Sequence, residues 1–268
     1  MPRIRSFLAA AVAAALLLSG CAATAPESGA GFPAGAAPDY QLGGAYEPDA
    51  SVGVIGRDRQ AEPAEGVYSI CYVNGFQTQP GELDLWPEEL LLQRDGATVF
   101  DPEWPDEALL DTGSAEGREA IVGIVGPWIE GCAERGFDAV EFDNLDTFSR
   151  SDGALAVDDN VALAAALVAI AHEAGLAAGQ KNAAELTERM RGDAGFDFAV
   201  VEECAAYDEC SAYTDVYGDA VLDIEYTDAL PRPFAEVCAD PATPASVVLR
   251  DRDLLTPDDE GYVFELCP

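Results

Sequence analysis

The segment GFDAVEFDN, residues 136–144, carries the clearest structural signal in the chain. A glycine opens it, mostly apolar residues fill its middle, and Asp143 and Asn144 close it, which is the pattern of a short buried strand that ends in polar groups. Glu141 and Asp143 are two residues apart, so their side chains point to the same side of that strand. If Asp143 faces the interior of a closed sheet, Glu141 lies one layer deeper.

Helical patterns flank this strand on both sides. Before it, a helical region opens near Thr112, and apolar residues recur every three or four positions from Ile121 to Cys132, as on one face of a helix. After it, Asp158 is expected to cap a second helix, which Gly175 closes. Helix, strand and helix in this order indicate an α/β fold with a parallel sheet.

Strand and helix patterns alternate along the rest of the chain. The expected strands span residues 40–42, 51–55, 67–73, 137–142, 176–180, 196–201, 220–226 and 245–249. Further helices are expected at residues 183–190, 205–213 and 231–238. About eight alternating strands favour a closed (β/α)₈ barrel of the TIM type over an open doubly wound sheet. No GxGxxG or P-loop sequence is present, which also weighs against a nucleotide-binding domain.

Charged residues follow several of these strands. In a parallel barrel all strand carboxyl ends lie on one face, where active sites are built. We therefore expect five distant residues to converge there, namely Asp143, Lys181, Glu202, Glu225 and Asp251. Lys181 is the only lysine of the chain, and a buried Glu141 needs such a partner because an unpaired buried carboxylate is costly. The alternative for Lys181 is a structural ion pair with Glu141 or Glu225.

Two carboxylates at one site suit the hydrolysis of a glycosidic bond. One must be protonated to assist the leaving oxygen, and the other must be ionised as nucleophile or base. Like charges that are held close together and partly desolvated have separated pKa values, which assigns the two roles. A peptidase or esterase has less support, because the only histidine, His172, is expected in mid-helix on the solvent side.

Four segments taken together resemble glycoside hydrolase family 114, the endo-α-1,4-polygalactosaminidase group. They are GFDAVEFDNLDTF, AHEAGLAAGQKN, FDFAVVEECAAYDEC and IEY, in the order of the family pattern. The resemblance implies a barrel over residues 39–268 that cleaves α-1,4-linked galactosamine-containing polymers by a retaining mechanism, with Asp143 as nucleophile and Glu202 as general acid/base. It implies substrate-binding roles for Tyr72, Glu141, Asn144, Asp146, Lys181, Asn182, Glu225, Tyr226 and Asp251. Neither a cofactor nor a metal ion is expected.

The sequence departs from the family pattern after Tyr72. Many members have a Gly-x-x-Glu segment there, whereas this chain has amides in the run from Asn74 to Gln79. Gly56 also falls where an acid is expected at the end of the second strand, with Asp58 close by. These departures leave two interpretations open, a hydrolase and a lipid-anchored glycan-binding protein on the same barrel without turnover.

The N-terminal residues have the pattern of an export signal. Arg3 and Arg5 precede an apolar run, residues 7–18, that is too short to span a bilayer. The run ends in LSGC, which resembles a lipobox, although an ordinary signal peptide with a chance cysteine is the alternative. We expect a signal peptide over 1–20, acylation of Cys21 and a flexible tether over 21–38. The protein would be lipid-anchored on the outer face of the bacterial cell membrane, with no other membrane contact.

Six cysteines remain after Cys21, and an even number in an exported chain favours three disulfides. They are Cys71, Cys132, Cys204, Cys210, Cys238 and Cys267. Six cysteines allow 15 pairings. A Cys204–Cys210 bond would be a local staple and a Cys238–Cys267 bond would tie down the C-terminus, but the connectivity stays open. A metal site has weaker support, since no Cys-x-x-Cys occurs.

The formal net charge of −36 argues against nucleic acid or an anionic membrane surface as partner. It suits a polysaccharide ligand that is cationic, such as a deacetylated amino-sugar polymer, or adaptation to high salt. A compositional bias of the genome would produce the same charge, so charge alone decides little about the substrate. We expect a monomer.

Overall fold

The computed structural model describes residues 31–268. The strands are β1 (Ala37–Gln41), β2 (Val52–Asp58), β3 (Tyr68–Asn74), β4 (Gln93–Arg94), β5 (Ala97–Thr98), β6 (Ala139–Asp143), β7 (Ala177–Lys181), β8 (Phe198–Glu202), β9 (Val221–Tyr226), β10 (Ser246–Arg250) and β11 (Phe264–Leu266). The α-helices are α1 (Ala115–Arg135), α2 (Thr147–Arg150), α3 (Val157–Glu173), α4 (Thr187–Arg189), α5 (Cys204–Tyr207), α6 (Cys210–Tyr217) and α7 (Phe234–Cys238).

The main sheet confirms the expected barrel. Its strands lie in the order β1-β2-β3-β6-β7-β8-β9-β10-β11, and all neighbours are parallel except β10 and β11. The sheet curls until β1 lies beside β10, where a side chain joins the two strands. The guanidinium of Arg250 is fully buried and donates from Nη1 to Asp39 Oδ1, at 2.8 Å, and to the carbonyl oxygen of Tyr40. Strands β4 and β5 form a separate small hairpin.

The alternation of side chains divides each barrel strand into two faces. One face fills the barrel interior with Tyr40, Val54, Ile70, Ala139, Ala177, Phe198, Val200, Leu222, Ile224 and Val248. The other face packs outward with the helices in a larger cluster that includes Val140, Phe142, Leu163, Leu167 and Val201. The phase of each strand therefore decides whether a polar residue near its end points into the barrel mouth or behind the sheet.

Local signals explain the two long helices. Ser114 caps α1, its Oγ accepting from the amide of Gly117 at 2.9 Å, and Gly136 ends the helix at a φ of 92°. The expected cap at Asp158 is wrong by position, because α3 begins at Val157 without a side-chain cap. Asp158 lies in the first turn, where the helix dipole favours a negative charge.

Three disulfides stabilise the described part of the chain. The local Cys204–Cys210 bond and the C-terminal Cys238–Cys267 bond are both present. The third bond joins Cys71 of β3 to Cys132 of α1, and so ties the barrel wall to its helical layer.

The predicted signal peptide, Cys21 and most of the predicted tether lie outside the described residues. The end of that tether is part of the fold, which corrects the expected boundary. Phe32 stacks on Phe198 with ring centroids 5.0 Å apart, and β1 already begins at Ala37. A bulky aromatic ring covers the amino-terminal end of the barrel interior and orders this segment. Among residues 31–268, no helix has the length and apolar character needed to cross a bilayer.

Candidate active site

A cleft with a volume of about 560 Å³ opens at the carboxyl ends of the barrel strands. Five neighbouring strands each contribute one polar residue to it, Tyr72, Asp143, Lys181, Glu202 and Tyr226. The loop residues 101–107 and 252–254 supply much of the surrounding wall. Parallel strands therefore bring together side chains that are more than 150 positions apart in the sequence, from Tyr72 to Tyr226.

The two predicted catalytic carboxylates share one ammonium group. Lys181 Nζ lies 3.3 Å from Asp143 Oδ2 and 2.8 Å from Glu202 Oε2. These two oxygens are therefore at most 6.1 Å apart, which is the sum of the two distances. The Lys181 side chain is 3% exposed, whereas those of Asp143 and Glu202 are 17% and 26% exposed. The lysine thus lies beneath two carboxylates that reach the cleft.

Hydrogen-bond donors surround Asp143. The hydroxyl of Tyr72 donates to Oδ2 at 2.8 Å, and the amide of Asn144 donates to Oδ1 at 2.7 Å. Burial raises the pKa of Tyr72 well above its usual value, and the charge of Asp143 raises it further. Tyr72 therefore stays a neutral donor that orients the carboxylate.

Glu202 lies among three donors. Lys181 and Asn182 Nδ2, at 2.9 Å, contact Oε2, and the hydroxyl of Tyr226 donates to Oε1. Burial acts to raise the pKa of Glu202, but Lys181 and the hydrogen bonds from Tyr226 and Asn182 outweigh it and lower that pKa to about 2. Glu202 is therefore ionised at neutral pH in the ligand-free protein.

Glu141 lies one layer below this pair, as the alternation predicts. It is fully buried, and burial, together with the charge of Asp143, raises its pKa to about 8 even though Lys181 acts in the opposite direction. Tyr40 shares this layer, and a Cβ at Gly56 would lie 2.4 Å from the Tyr40 ring. The family-type acid is therefore absent at position 56 because the ring occupies its space. Glu141 does not line the cleft.

Left-handed backbone follows three of these strands. Asn144, Asn182 and Glu203 have φ values of 64°, 50° and 60°, and each comes directly after a residue of the charged cluster. Such conformations cost free energy and recur where a site needs a fixed geometry. Asn182 also makes two hydrogen bonds with Glu202. Its Oδ1 accepts from the backbone amide of Glu202 at 2.8 Å, and its Nδ2 donates to the Glu202 carboxylate.

Besides Glu141, two other residues predicted to bind substrate do not reach the cleft. Glu225 lies on the outward face of β9, where its Oε1 accepts from the amide of Ala205 at 2.7 Å. Tyr226, one position later, has the opposite phase and enters the barrel mouth. Asp251 is also turned away, because its carboxylate oxygens accept from the amides of Leu255 and Val263 at 2.8 and 3.0 Å. Both acids hold loops behind the cleft.

Asn144 and Asp146 do line the cleft, as predicted. Arg150 organises this side: its Nη2 donates to Asn144 Oδ1 at 3.0 Å and its Nη1 contacts Asp146 Oδ1 at 2.8 Å. The same guanidinium also contacts Asp101 at 2.6 Å and so ties the loop before α1 to the barrel mouth.

Sequence reasoning missed the cleft residues that come from loops. Those of the 101–107 loop are Asp101, Glu103, Trp104 and Glu107, and those nearer the C-terminus are Glu203, Arg252 and Asp253. Loops lack the periodicity that assigns a strand face, although the density of acids between 101 and 107 was a visible signal. The bidentate contact of Arg252 with Glu203, at 2.8 Å for both oxygens, joins residues 49 positions apart.

The cleft is strongly acidic. Its lining includes Asp58, Asp101, Glu103, Glu107, Asp143, Asp146, Glu202, Glu203 and Asp253. The basic residues of the lining are Arg150, Lys181 and Arg252, and each is ion-paired with carboxylates. The lining thus holds more carboxylates than its cations neutralise, which favours a cationic or neutral ligand over an anionic one.

A (β/α)₈ barrel with two carboxylates in a cleft at the carboxyl ends of its strands fits a barrel glycoside hydrolase. The sequence comparison agrees, because the model of glycoside hydrolase family GH114 matches residues 20–268. The chain belongs to this family and is a glycoside hydrolase. The resemblance seen in the four sequence segments is therefore confirmed.

Solved structures share the fold. Ega3 of Aspergillus fumigatus, in a complex with galactosamine, has a TM-score of 0.70 at 22% identity, covering 91% of this chain and 98% of Ega3. The glycoside hydrolase domain of PelA from Pseudomonas aeruginosa has a TM-score of 0.53 at 13% identity, covering 85% and 97%. The α-galactosidase TtGalA of Thermus thermophilus has a TM-score of 0.50 at 15% identity, covering 87% and 61%. No protein with a curated description matches the sequence.

Proposed function

We propose that the protein hydrolyses α-1,4-linked galactosamine-containing polysaccharide, with Asp143 as nucleophile and Glu202 as general acid/base. The observation that carries the proposal is the pair of cleft carboxylates in contact with the single ammonium of Lys181. Membership of family GH114 supports glycoside hydrolysis, and the galactosamine bound to Ega3 supports the substrate class. The acidic lining of the cleft favours a polymer with free amines.

The separation of the carboxylates supports a retaining mechanism. Retaining glycosidases have carboxyl groups about 5–5.5 Å apart, whereas inverting enzymes leave about 6.5–9.5 Å for a water molecule. The limit of 6.1 Å between the two lysine-bound oxygens favours the shorter arrangement. Asp143 then attacks the anomeric carbon while Glu202 protonates the leaving oxygen, and Glu202 afterwards deprotonates the water that hydrolyses the glycosyl-enzyme.

The acid role requires Glu202 to take up a proton when the sugar binds, since its pKa is about 2 in the ligand-free protein. Burial already acts to raise this pKa, and Lys181 is the main group that holds it down. A sugar that fills the cleft excludes more water, and any movement of the Lys181 ammonium towards Asp143 weakens its hold on Glu202. Lys181 thus couples the ionisation of the nucleophile to the protonation of the acid.

The function is tested with an α-1,4-galactosamine polymer and purified protein. We expect the wild type to release oligosaccharides and Asp143→Asn to release none. Asp223→Asn is the matched control, because it makes the same chemical change behind β9 and should keep the activity. Absence of product from the wild type on several amino-sugar polymers would contradict the proposal and favour binding without turnover.

Azide rescue separates the two catalytic roles. With an aryl α-galactosaminide that has a good leaving group, azide should react with the glycosyl-enzyme of Glu202→Ala and give the α-glycosyl azide. In Asp143→Gly, azide should occupy the space of the nucleophile and give the β-glycosyl azide. The reverse pattern of anomers, read by NMR, would exchange the two assignments.

We further propose that the enzyme works outside the cell as a monomer anchored through lipid on Cys21. The three disulfides of the described residues support an oxidising compartment. Metabolic labelling with a fatty acid should mark the wild type in the membrane fraction, and Cys21→Ala should be unlabelled and released. Labelling that survives Cys21→Ala would contradict the anchor.

A further inference from the structure

The amides that replace the family acid after Tyr72 hold a carboxylate from elsewhere in the chain. Asn74 Nδ2 and Gln77 Nε2 donate to Glu107 Oε2 at 3.1 and 3.0 Å. Glu107 comes from the loop before α1, some thirty positions later. A carboxylate is thus present beside the end of β3, although the local sequence supplies none.

Glu107 lies close to the predicted nucleophile. Asn74 pairs with Asp143 in the register of β3 and β6, so the residue that holds Glu107 is the strand neighbour of Asp143. The side chains continue this connection, because Asn144 Nδ2 donates to Asn74 Oδ1 at 3.0 Å. Glu107 therefore occupies a fixed position next to the reacting centre.

One oxygen of Glu107 is free for a ligand. The residue is 9% exposed and lines the cleft, and both donors go to Oε2. Within the described residues, Oε1 accepts no hydrogen bond and contacts no cation, yet it is not sealed from solvent. A carboxylate oxygen that is left without a donor in a mostly buried position is suited to an N–H group from a ligand.

The same loop presents an apolar surface. Trp104 is 58% exposed, lines the cleft, and its carbonyl accepts from the amide of Glu107 at 2.9 Å. Asp101 holds the turn, because its Oδ1 accepts from the amides of Glu103 and Trp104 at 2.8 and 3.2 Å. An aromatic face can pack on the C–H face of a sugar while a nearby carboxylate binds the polar substituents of that sugar.

We propose that Glu107 binds the 2-ammonium group of a galactosamine residue and selects deacetylated over N-acetylated substrate. The inference rests on the proposed function and names the residue that binds the amine of the substrate. The N-acetyl group offers no positive charge and adds bulk at this oxygen, so it gains less from the contact. Burial raises the pKa of Glu107 to about 7, with a further contribution from the charge of Asp143. A bound ammonium would offset both effects and keep the carboxylate ionised.

The test compares two oligosaccharides of equal length, α-1,4-linked galactosamine and its fully N-acetylated form. We expect Glu107→Gln to raise the KM for the free amine about tenfold or more, as for loss of a charge-assisted hydrogen bond, with little change in kcat. The KM for the N-acetylated form should change less than about twofold. Glutamine keeps an oxygen that can accept from Asn74 and Gln77, so the loop should remain in place.

Glu89→Gln is the matched control, because Glu89 is exposed and lies outside the lining of the cleft. It removes the same charge and should change neither KM by more than about twofold, as expected for a solvent-exposed charge. Equal losses on both substrates in Glu107→Gln, or equal effects of the two variants, would overturn the inference. If the wild type cleaves neither oligosaccharide, the proposed function fails. Binding of both compounds to wild type and Glu107→Gln, measured by calorimetry, then decides the inference by the same comparison.

Discussion

Asp143 and Glu202 at the barrel mouth, and Asp223 and Glu225 behind β9, are two carboxylate pairs in opposite surroundings. The first pair contacts the ammonium of Lys181 and accepts hydrogen bonds from hydroxyl and amide groups. The second pair is fully buried and makes no ion pair among the described residues. Proximity of two acids is common to both, so a cation and access to the cleft distinguish the candidate catalytic pair.

The pair behind β9 has a structural role. Burial and the neighbouring carboxylate raise the pKa of Asp223 well above its usual value, and burial also raises the pKa of Glu225. One proton held between the two acids satisfies this geometry. Glu225 accepts from the amide of Ala205, so the pair fixes the start of α5 and the loop that carries the Cys204–Cys210 bond.

Neutralising each carboxylate pair in turn tests this distinction most directly. Asp143→Asn and Glu202→Gln should lower kcat by at least about 10³-fold, because each removes a group proposed to take part in bond cleavage. The single variants Glu225→Gln and Asp223→Asn should each keep kcat within about twofold of the wild type, as expected for changes outside the cleft. Steady-state hydrolysis of a galactosamine polymer measures both. Comparable losses in the two pairs would remove the distinction.

The next effect concerns the cation. Lys181→Met should lower kcat by about 10²-fold, because it removes preorganised positive charge beside both carboxylates. It should also raise the pKa of Glu202 from about 2, since burial then acts without the opposing ammonium. Carbon-13 NMR of the labelled carboxyl group follows this titration. A pKa that stays near its wild-type value would show that Lys181 does not hold Glu202 ionised.

The second pair predicts a pH dependence of stability. The folded-state pKa of Asp223 is raised above its ordinary 3.8, so its stabilising contribution is complete below pH 3.8 and is lost as the pH rises through the folded value. The free energy of unfolding should fall with a slope of up to about 1.4 kcal/mol per pH unit for one retained proton. Asp223→Asn should flatten this slope in urea unfolding at pH values above the ordinary 3.8 of an aspartate. The exposed Asp219→Asn should not, and an equal slope in both variants would contradict the shared proton.

The smallest effect tests one donor of the first pair. Tyr226→Phe should lower kcat about fivefold, because a single hydrogen bond to Glu202 is worth about 1 kcal/mol. Tyr262→Phe is a suitable control, since the Tyr262 hydroxyl bonds that of Tyr46, outside the lining of the cleft. Equal rates in the wild type and Tyr226→Phe would show that Lys181 and Asn182 are the only donors to Glu202 that affect catalysis.

Much of the fold could be predicted from local patterns. The alternation of strands and helices, with glycine after α1 and polar residues after each buried strand, predicts a parallel barrel and the face that carries its site. The two-residue spacing of Glu141 and Asp143 also predicts their shared direction and different depth. These features depend on a few neighbouring residues, and the sequence pattern of a strand or a helix extends over the same short length.

The predictions that were wrong concern side chains whose positions depend on contacts with distant parts of the chain. Alternation shows that Glu225 and Tyr226 cannot both enter the barrel, but their phase depends on the packing of β9 between β8 and β10. Gly56 is explained only by the ring of Tyr40, and the amides of Asn74 and Gln77 only by Glu107.

Local periodicity and chain order are enough to predict the barrel, the cysteines that bond and the strand ends that meet at its mouth. The folded protein is needed to tell which acids face the cleft and which lie behind the sheet, and to bring Glu107 into the site from a loop. Those outcomes depend on strand phase and on contacts across many positions, and the energy of a buried carboxylate is set by whichever groups the folded chain places around it.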